Sequence, residues 1–441
     1  MGKRTFHGGV HPYEGKHYTE KKAIEPIPNP AKVFIPLQQH IGAPAEVLVK
    51  KGDEVKKGQK IAEAKGFVST PIHSSVSGVV KSIEEINHPV SGKGMAVVIE
   101  NDGNDTWSEE VKERSNYLEL DGKEIVNIVR EAGIAGMGGA TFPTHVKLSP
   151  PPDKKIDVVI LNGAECEPYL TADHRLMLEK SREIVFGLQL LMKALNVNRG
   201  IIGIEDNKPD AVEAMKKASA NVPGVEVMDF PVKYPQGAEK QLIKAAVDRE
   251  VPAGGLPMDV GVVVQNVGTA FAVYEAVALG RPLIERVVTV TGPGIKDPKN
   301  VLVPIGTPFE DVVNYCGGLT ENAAKIIMGG PMMGLTQPGL DVPVVKGTSG
   351  ILVFEEEQSH LKPENPCIGC ARCVEVCPMN LLPTTLQQLV EHDRILQAEQ
   401  YHIMDCIECG SCSYICPANR YLLQAIRHGK RQVIKSRRKA G

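Results

Sequence analysis

The strongest constraint on this chain is a pair of cysteine runs near its end. Each run has the spacing C-x2-C-x2-C-x3-C and is followed by a proline, first Pro378 and then Pro417. This spacing is typical of thiolate ligands to [4Fe–4S] clusters. The eight cysteines are Cys367, Cys370, Cys373 and Cys377 in the first run, and Cys406, Cys409, Cys412 and Cys416 in the second. The carboxyl-terminal part is therefore expected to fold around two cubane clusters.

Each cluster is expected to take ligands from both runs. Three thiolates spaced two residues apart can surround one face of a cluster, whereas the fourth lies too far along the chain and reaches the neighbouring cluster. The expected ligand sets are Cys367, Cys370, Cys373 and Cys416 for cluster 1, and Cys377, Cys406, Cys409 and Cys412 for cluster 2.

Other interpretations of the cysteines fit less well. A zinc ribbon joins two C-x2-C pairs and has no use for the third cysteine of each run. Disulfides are unusual in a chain without a visible secretion signal, and residues 1–5 are polar and basic. The solitary Cys166 and Cys316 are interpreted as small buried side chains rather than reactive thiols.

Composition narrows the functional classes. With 441 residues the chain should hold more than one domain. It has 50 Lys and Arg against 53 Asp and Glu, a net charge of −3, which argues against a nucleic-acid binder. No apolar run approaches the roughly 20 residues that a membrane-spanning helix needs. A cytoplasmic location is expected.

The amino-terminal part is expected to form an arm and a small β unit. Residues 1–30 resemble an extended, solvated arm, in which His7, His11 and His17 are not expected to bind metal. Residues 31–105 alternate short strands with glycine turns and resemble the barrel-sandwich fold of lipoyl and biotinyl domains. In such carriers the modifiable lysine lies at a hairpin tip and is typically flanked by Asp or Met, whereas this chain has Lys65-Gly66-Phe67. This difference favours a structural docking module over a lipoyl or biotinyl carrier.

Residues 115–284 alternate strands and helices, a pattern that predicts a parallel sheet covered by helices. The first helix should start after Asp121, with Glu124 completing a capping box, and a long helix is expected over 177–195. Ligands of such sheets bind at the carboxyl ends of strands, where residues 162–168 and 265–269 are rich in polar groups. The usual Gly-x-Gly-x-x-Gly of dinucleotide sites is absent.

A glycine cluster at Gly136, Gly138 and Gly139 could cradle a phosphate with backbone N–H groups, although a flexible loop is an equally good interpretation. Residues 285–355 predict a small β unit with one helix. Residues 360–426 hold the cysteine runs, and apolar spacing over 381–400 favours helices between them. The basic segment 427–441 is interpreted as a frayed tail or, alternatively, as a contact for an anionic membrane or acidic partner.

Three segments together resemble the flavoprotein subunit of respiratory complex I, which binds FMN and NADH. They are GMGGATFPTHVKL from position 136, NGAECEPY from 162 and QNVGT from 265. The resemblance implies one set of residues around FMN and another near the nicotinamide nucleotide. The FMN set is Gly136, Gly138, Gly139, Lys147, Asn162, Asn266 and Thr269, and the NADH set is Phe142, Glu165 and Glu167.

Over residues 4–425 the chain is similar to the C subunit family of the Rnf electron transport complex, which shares the opening F-x-G-G-V-H-P. The resemblance implies a multidomain α/β fold. Its parts would be an N-terminal barrel-sandwich β module, a Rossmann-like FMN/NADH domain, a β-grasp ligand-binding unit and a helical ferredoxin domain with two clusters. The chain departs from the complex I family at two places. The element GEET of that family is Gly237-Ala238-Glu239-Lys240 here, and the family's nucleotide-binding lysine has no clear match in 251–258.

A flavin is needed in such a chain because nicotinamide transfers two electrons together whereas a cluster accepts one. The resemblance therefore implies a peripheral subunit of an ion-translocating ferredoxin:NAD⁺ oxidoreductase on the cytoplasmic face of the membrane. It would contact the membrane through integral Rnf partners and receive electrons from a ferredoxin-like iron–sulfur subunit. No catalytic acid or base is assigned. Two alternatives stay open: a cobalamin reductase of the same flavin and iron–sulfur family, and a non-enzymatic electron-wiring scaffold.

Overall fold

The computed structural model describes residues 4–360 and 362–440, with side chains described as far as residue 437. Two β-rich units, a helix-covered parallel sheet and a helical cysteine domain make up the chain. The multidomain α/β arrangement predicted from the sequence is therefore confirmed. Within the described residues, no helix has the length and apolar character needed to cross a membrane.

Two small antiparallel sheets form the first unit, which we call the β module. Its seven strands are β2 (Lys32–Pro36), β3 (Glu46–Val47), β4 (Glu54–Val55), β5 (Lys60–Glu63), β6 (Ile72–His73), β7 (Gly78–His88) and β8 (Gly92–Asn101); β1 (Ile24–Pro26) precedes them in the arm. One sheet has the order β2-β8-β7-β4 and the other β3-β5-β6. Apolar side chains of both sheets, such as Ile35 and Ile61, share one core.

The next unit, the parallel-sheet domain, has the strand order β11-β10-β9-β12 with every pair parallel. Its elements are α1 (Gly122–Glu131), α2 (Thr144–Lys147), β9 (Val158–Gly163), α3 (Ala172–Glu179), α4 (Ser181–Ala194), β10 (Gly200–Glu205), α5 (Pro209–Ser219), β11 (Val225–Phe230), α6 (Glu239–Val247), β12 (Val262–Asn266) and α7 (Val267–Ala278). Apolar strands are buried on both faces, as expected for a parallel sheet. One core lies under α4 and α7, and the other lies under α6.

Local signals in this domain predict α1 well and the next long helix less well. Asp121 accepts from the Glu124 N–H and Glu124 from the Asp121 N–H, so the predicted capping box is present. The single helix expected over 177–195 is wrong, because the chain leaves helical geometry at Lys180 and separates α3 from α4. The break allows α3 to pack against α5 while α4 packs against α7.

The third unit is a mixed sheet with the order β1-β14-β13-β17-β15-β16. Its own elements are β13 (Glu285–Thr291), β14 (Lys299–Pro304), α8 (Phe309–Tyr315), β15 (Ala323–Met328), β16 (Leu335–Gln337) and β17 (Gly350–Glu355). Strand β1 is supplied by the arm and runs parallel to β14. The arm is therefore not the solvated segment expected from the sequence, since Phe6, Val10 and Lys16 are buried. Other parts of the arm match that expectation, since His7, His11 and His17 are exposed.

The helical cysteine domain ends the chain. A short helix, α9 (Glu356–Ser359), packs against β15 and β17 of the mixed-sheet unit and leads into it. The helices of the cysteine domain itself are α10 (Arg372–Glu375), α11 (Pro383–Glu391), α12 (Ile395–Gln400), α13 (Ser411–Tyr414) and α14 (Leu422–Ala440). The expectation of a frayed tail over 427–441 is wrong for the described residues, because residues 427–440 continue α14. Ile426 and Val433 are buried against α11 and α12. Gly441 and the side chains of Arg438 and Lys439 lie outside the described residues.

A buried lysine joins three of the units. Lys346 follows β16 in the mixed-sheet unit, and its ammonium donates to the Gly133 carbonyl at 2.6 Å and the Pro71 carbonyl at 3.1 Å. These acceptors belong to the parallel-sheet domain and the β module. Burial lowers the pKa of Lys346 to about 7, because removing an ammonium from water disfavours its charged form.

We predict that Lys346 makes stability depend on pH. The folded-state pKa is about 7 and the unfolded value about 10.4, so between these values the unfolded chain binds more protons. The free energy of unfolding should therefore rise with pH from about 7 to 10. Chemical denaturation should show this slope in the wild type and a weaker slope in Lys346→Met. Equal slopes in the two proteins would contradict the assignment.

Candidate functional site

The polar groups predicted to bind a ligand meet at one point of the parallel sheet. Strand β9 has β10 on one side and β12 on the other, so the strand order reverses between β9 and β12. Asn162 of β9 and Asn266 of β12 are direct register partners at the carboxyl ends of these strands. In open α/β sheets, ligands bind in the crevice at this kind of switch point.

The glycine loop, residues 136–139, closes over the same point. The Met137 N–H donates to Thr269 Oγ1 at 3.1 Å, and the Gly136 N–H donates to the Phe142 carbonyl at 2.8 Å. A Cβ added to Gly138 would lie 2.9 Å from the Asn266 Cβ. The loop is thus held in place, and the absence of a side chain at Gly138 lets its backbone pack against Asn266.

A hydrogen-bonded network fixes the two asparagines. The side-chain oxygen of Asn266 caps α7 by accepting from the Gly268 N–H at 2.8 Å. The side-chain nitrogen of Asn266 donates to the Asp173 carboxylate at 2.7 Å. Asn162 donates to the Gly237 carbonyl at 2.7 Å. Burial, and then the nearby Glu165 carboxylate, raise the pKa of Asp173.

Lys147 lies at the edge of this network. Its ammonium is 2.7 Å from Glu239 Oε1 and 3.0 Å from the Val264 carbonyl, and the side chain is partly exposed. The ion pair fixes Lys147 beside the carboxyl end of β12. A cation in this position can attract an anionic group of a ligand.

Unpartnered amides support a ligand at the switch point. Among the described residues, neither amide atom of buried Gln236 has a hydrogen-bond partner, and Gln265 Nε2 has none. Gln265 directly precedes Asn266, and Gln236 directly precedes Gly237. Buried polar atoms without partners are uncommon in native proteins. These amides and the exposed Gly138 are compatible with a flavin, which offers many hydrogen-bonding atoms.

The structure places the three residues predicted near NADH in different settings. Phe142 closes the glycine loop through its carbonyl. The Glu165 carboxylate accepts from the Asp173 N–H at 2.7 Å and the His174 N–H at 3.2 Å, so it caps α3. The Glu167 carboxylate instead accepts from the N–H groups of residues 332 and 333 in the mixed-sheet unit.

Two buried lysines that sequence reasoning missed support the strand-end loop, residues 162–170. Lys16 donates to the carbonyls of Glu165, Glu167 and Leu170 at 2.7–3.1 Å. Lys208 donates to the Ala164 carbonyl at 2.7 Å. The arm sequence offered no signal for this role, because only the tertiary fold brings Lys16 to the loop, 149 residues away.

The two cysteine runs have the same backbone conformation. Gly369 and Glu408, the residues two positions after the first cysteine of each run, both have positive φ. The residues four positions after it, Ala371 and Gly410, share this feature and precede the short helices α10 and α13. Successive turns of this kind direct backbone N–H groups towards an anionic centre. Each run therefore suits a negatively charged cluster.

Cysteines of the two runs lie near one another in the cysteine domain. One cavity is lined by Cys377 of the first run together with Cys406, Cys409 and Cys412 of the second. Cys416 of the second run interacts electrostatically with Cys373 of the first. Cys367 and Cys370 are exposed. Within the part of the chain that the structure describes, no three His, Cys, Asp or Glu side chains are close enough to hold a single metal ion.

The solitary cysteines lie elsewhere. Cys316 is buried in the core of the mixed-sheet unit, and Cys166 packs among apolar side chains between the domains. Burial raises the pKa of Cys316 to about 12 and raises the pKa of Cys166 as well. Both thiols are therefore protonated at neutral pH, which agrees with a packing role.

Known protein families match four successive segments of the chain, which correspond to the four units of the fold. A barrel-sandwich hybrid domain family, described as RnfC, matches residues 4–104. A Nuo51 FMN-binding domain family matches 129–275, an SLBB domain family matches 287–336, and a 4Fe-4S dicluster domain family matches 366–420. The FMN family thus spans the switch point, and the dicluster family spans both cysteine runs.

Two curated relatives match almost the whole chain. The C subunit of a proton-translocating ferredoxin:NAD(+) oxidoreductase complex from Clostridium ljungdahlii is 56% identical over 97% of this chain and 93% of its own length. Its counterpart in the Na(+)-translocating complex of Acetobacterium woodii is 50% identical over 99% and 98%. Among solved structures, an NAD+-reducing [NiFe]-hydrogenase in the H2-reduced state shares the fold, with a TM-score of 0.50 and 20% identity, over 71% of this chain and 64% of that one.

We predict that Lys16 stabilises the strand-end loop. Replacing Lys16 by Met leaves three carbonyls, of which that of Leu170 is fully buried, without their shared donor, which should lower the free energy of unfolding by about 1–3 kcal/mol. Hydrogen exchange should also become faster over residues 164–171. Lys21→Met is the matched control, because Lys21 lies on the same arm and is exposed. Equal exchange rates in the two variants would contradict the role of Lys16.

Proposed function

Because this chain belongs to the C subunit family of ion-translocating ferredoxin:NAD(+) oxidoreductase complexes, we propose that its switch point and cysteine runs form one electron-transfer path. The chain is an electron-transfer subunit of an Rnf complex, an oxidoreductase of the translocase class. Its cofactors are FMN and [4Fe–4S] clusters, NAD(H) is its substrate, and the other Rnf subunits are its partners.

The FMN site is proposed at the switch point. Backbone groups of Gly136, Gly138 and Gly139 would approach the cofactor, and Lys147 would attract its phosphate or stabilise its reduced form. The polar side chains Asn162, Asn266 and Thr269 complete the set. FMN, when bound, supplies the conversion between two-electron and one-electron transfer. The observation that carries this proposal is the meeting of Asn162, Asn266 and the glycine loop where the strand order reverses.

The nucleotide is proposed to lie near Phe142, Glu165 and Glu167. Lys16 and the α3 cap hold the backbone of this loop in one conformation. The protein's contribution is then to orient the nicotinamide and exclude water, and no side chain is assigned as a catalytic acid or base.

The cysteines proposed for cluster 2 would hold it beside the parallel-sheet domain, and those proposed for cluster 1 would hold it where a partner subunit can approach. Bound clusters would supply one-electron transfer between the two sides. The cluster 2 region packs against the parallel-sheet domain, where Gln241 of α6 donates to the Pro378 carbonyl at 3.1 Å. Two ligands proposed for cluster 1, Cys367 and Cys370, are exposed. A ferredoxin-like iron–sulfur subunit of the complex would dock beside them.

Finer features of the arrangement are also part of the proposal. The fold types are a barrel-sandwich β module (31–105), a Rossmann-like FMN/NADH domain (115–284), a β-grasp unit (285–355) and a helical two-cluster ferredoxin domain (360–426), with the arm (1–30) and basic segment (427–441) at the ends. We place the chain on the cytoplasmic face of the membrane, bound through partner subunits. The basic helix α14 would support contact with an acidic or anionic surface.

We predict that Gly138→Ala weakens FMN binding and slows flavin reduction by NADH. The added methyl group would lie 2.9 Å from Asn266 and push the loop from its position. The control is Gly94→Ala in the β module, where the added group meets a His88 side chain at 3.3 Å. The measurement is flavin retention after gel filtration, followed by anaerobic bleaching of the flavin with NADH. A wild-type chain that binds clusters but no flavin would instead indicate a wiring scaffold.

We predict that the cysteines act in exchanged sets. Cys377→Ser and Cys412→Ser should each remove the same cluster, whereas Cys373→Ser and Cys416→Ser should remove the other. Iron content and EPR spectra of anaerobically reconstituted protein distinguish the two clusters. Cys316→Ser is the control and should retain both clusters, because Cys316 is buried in another unit. Loss of the same cluster in Cys373→Ser and in Cys377→Ser would contradict the exchange.

A further inference from the structure

A buried tyrosine connects the strand-end loop with the cysteine domain. The Tyr234 hydroxyl lies 2.8 Å from the Cys409 carbonyl and 3.2 Å from Glu167 Oε1. Tyr234 is among the largest fully enclosed side chains of the protein, with 2% of its surface exposed. A single hydroxyl thus contacts both the parallel-sheet domain and the backbone of a proposed cluster 2 ligand.

The carboxylate of Glu167 also contacts the mixed-sheet unit. Its two carboxylate oxygens accept from the Met332 N–H at 3.0 Å and the Met333 N–H at 2.8 Å. A Cβ added to Gly330 would lie 2.1 Å from Glu167 Oε2, so this loop fits closely around the carboxylate. Glu167 therefore joins Tyr234 of its own domain to the mixed-sheet unit and uses both carboxylate oxygens for the second contact.

The arm also contacts Tyr234 and the segment that precedes Cys377. Val10 and Tyr234 exchange two backbone hydrogen bonds, of 2.8 and 2.9 Å, and the Gly9 N–H donates to the Val376 carbonyl at 2.9 Å. Val376 directly precedes the cluster 2 cysteine Cys377. Val10, Tyr234 and Cys409 also share an apolar cluster. Four parts of the chain meet here, and the Tyr234 hydroxyl is the polar contact at their centre.

We propose that Glu167 and Tyr234 are positioning residues, which hold the Cys409 loop of cluster 2 against the proposed flavin domain. This inference rests on the proposed function, and it gives Glu167 a role other than contact with the nucleotide. Electron transfer between cofactors depends steeply on their separation, so a fixed loop fixes the rate. Hydrogen bonds near a cluster also set its potential, because a donor compensates negative charge in the reduced state.

A positioning role and a nucleotide-binding role predict different kinetics. Loss of a nucleotide contact raises the KM for NADH. Loss of a positioning contact slows electron transfer from flavin to cluster 2 and changes the potential of that cluster. The Tyr234 hydroxyl separates these roles well, because its two contacts are a cluster-ligand carbonyl and Glu167.

The test compares Tyr234→Phe with Tyr315→Phe in the full chain reconstituted with both clusters and FMN. The control removes a Tyr–Glu hydrogen bond of the same 3.2 Å length, between Tyr315 and Glu25, in the mixed-sheet unit. In Tyr234→Phe one cluster potential should become more negative in a dithionite titration followed by EPR. Cluster reduction by NADH should slow by about tenfold, while KM for NADH changes less than about twofold. Tyr315→Phe should match the wild type in all three.

Glu167→Gln is a second variant that preserves side-chain shape should Tyr234→Phe fold poorly. It should also alter a cluster potential, which is measured without NADH. A raised KM with unaltered cluster potentials, or a Tyr234→Phe protein indistinguishable from Tyr315→Phe, would overturn the proposal. The dithionite titration needs no flavin. Failure of NADH to reduce the wild-type flavin would therefore count against the proposed function alone, and the cluster potentials would still decide on the positioning role.

Discussion

The pairing of β9 with β12 determines where the chemistry of this chain can occur. Their parallel register brings Asn162 beside Asn266 at the carboxyl end of a sheet whose strands are buried on both faces. Polar groups can emerge only where these apolar strands end. The glycine loop, the cap of α7 and Gln265 all lie at this end, and the reversal of strand order opens a crevice beside them.

Buried charge holds the other parts of the protein to this sheet. An ammonium taken out of water is costly unless its hydrogen bonds are satisfied, and Lys16 and Lys346 each donate to backbone carbonyls of other segments. Lys16 attaches the arm to the strand-end loop, and Lys346 joins three units. Such contacts fix domain positions more strictly than apolar packing, because hydrogen bonds are directional. A chain that transfers electrons between separate cofactors needs fixed domain positions.

The sequence allowed prediction of local features and of the cofactors far better than of contacts between domains. Cysteine spacing indicated two clusters, and the cap at Asp121 marked the start of α1, since both depend on neighbouring residues. The break at Lys180 and the folding of α14 depend on packing partners distant in sequence. The same holds for Glu167, whose partners Tyr234 and Met333 are 67 and 166 residues away. Family motifs pointed to the loop that carries Glu167, but only the tertiary structure shows which groups its carboxylate contacts.

We propose that electrons from NADH reach the clusters only through a flavin at the switch point. Rapid anaerobic mixing of NADH with the cluster-reconstituted chain, with and without FMN, tests it most directly. With FMN, flavin bleaching should precede the EPR signals of reduced clusters, and without FMN the clusters should stay oxidised. Equal rates of cluster reduction in the flavin-free and flavin-loaded chains would contradict the account.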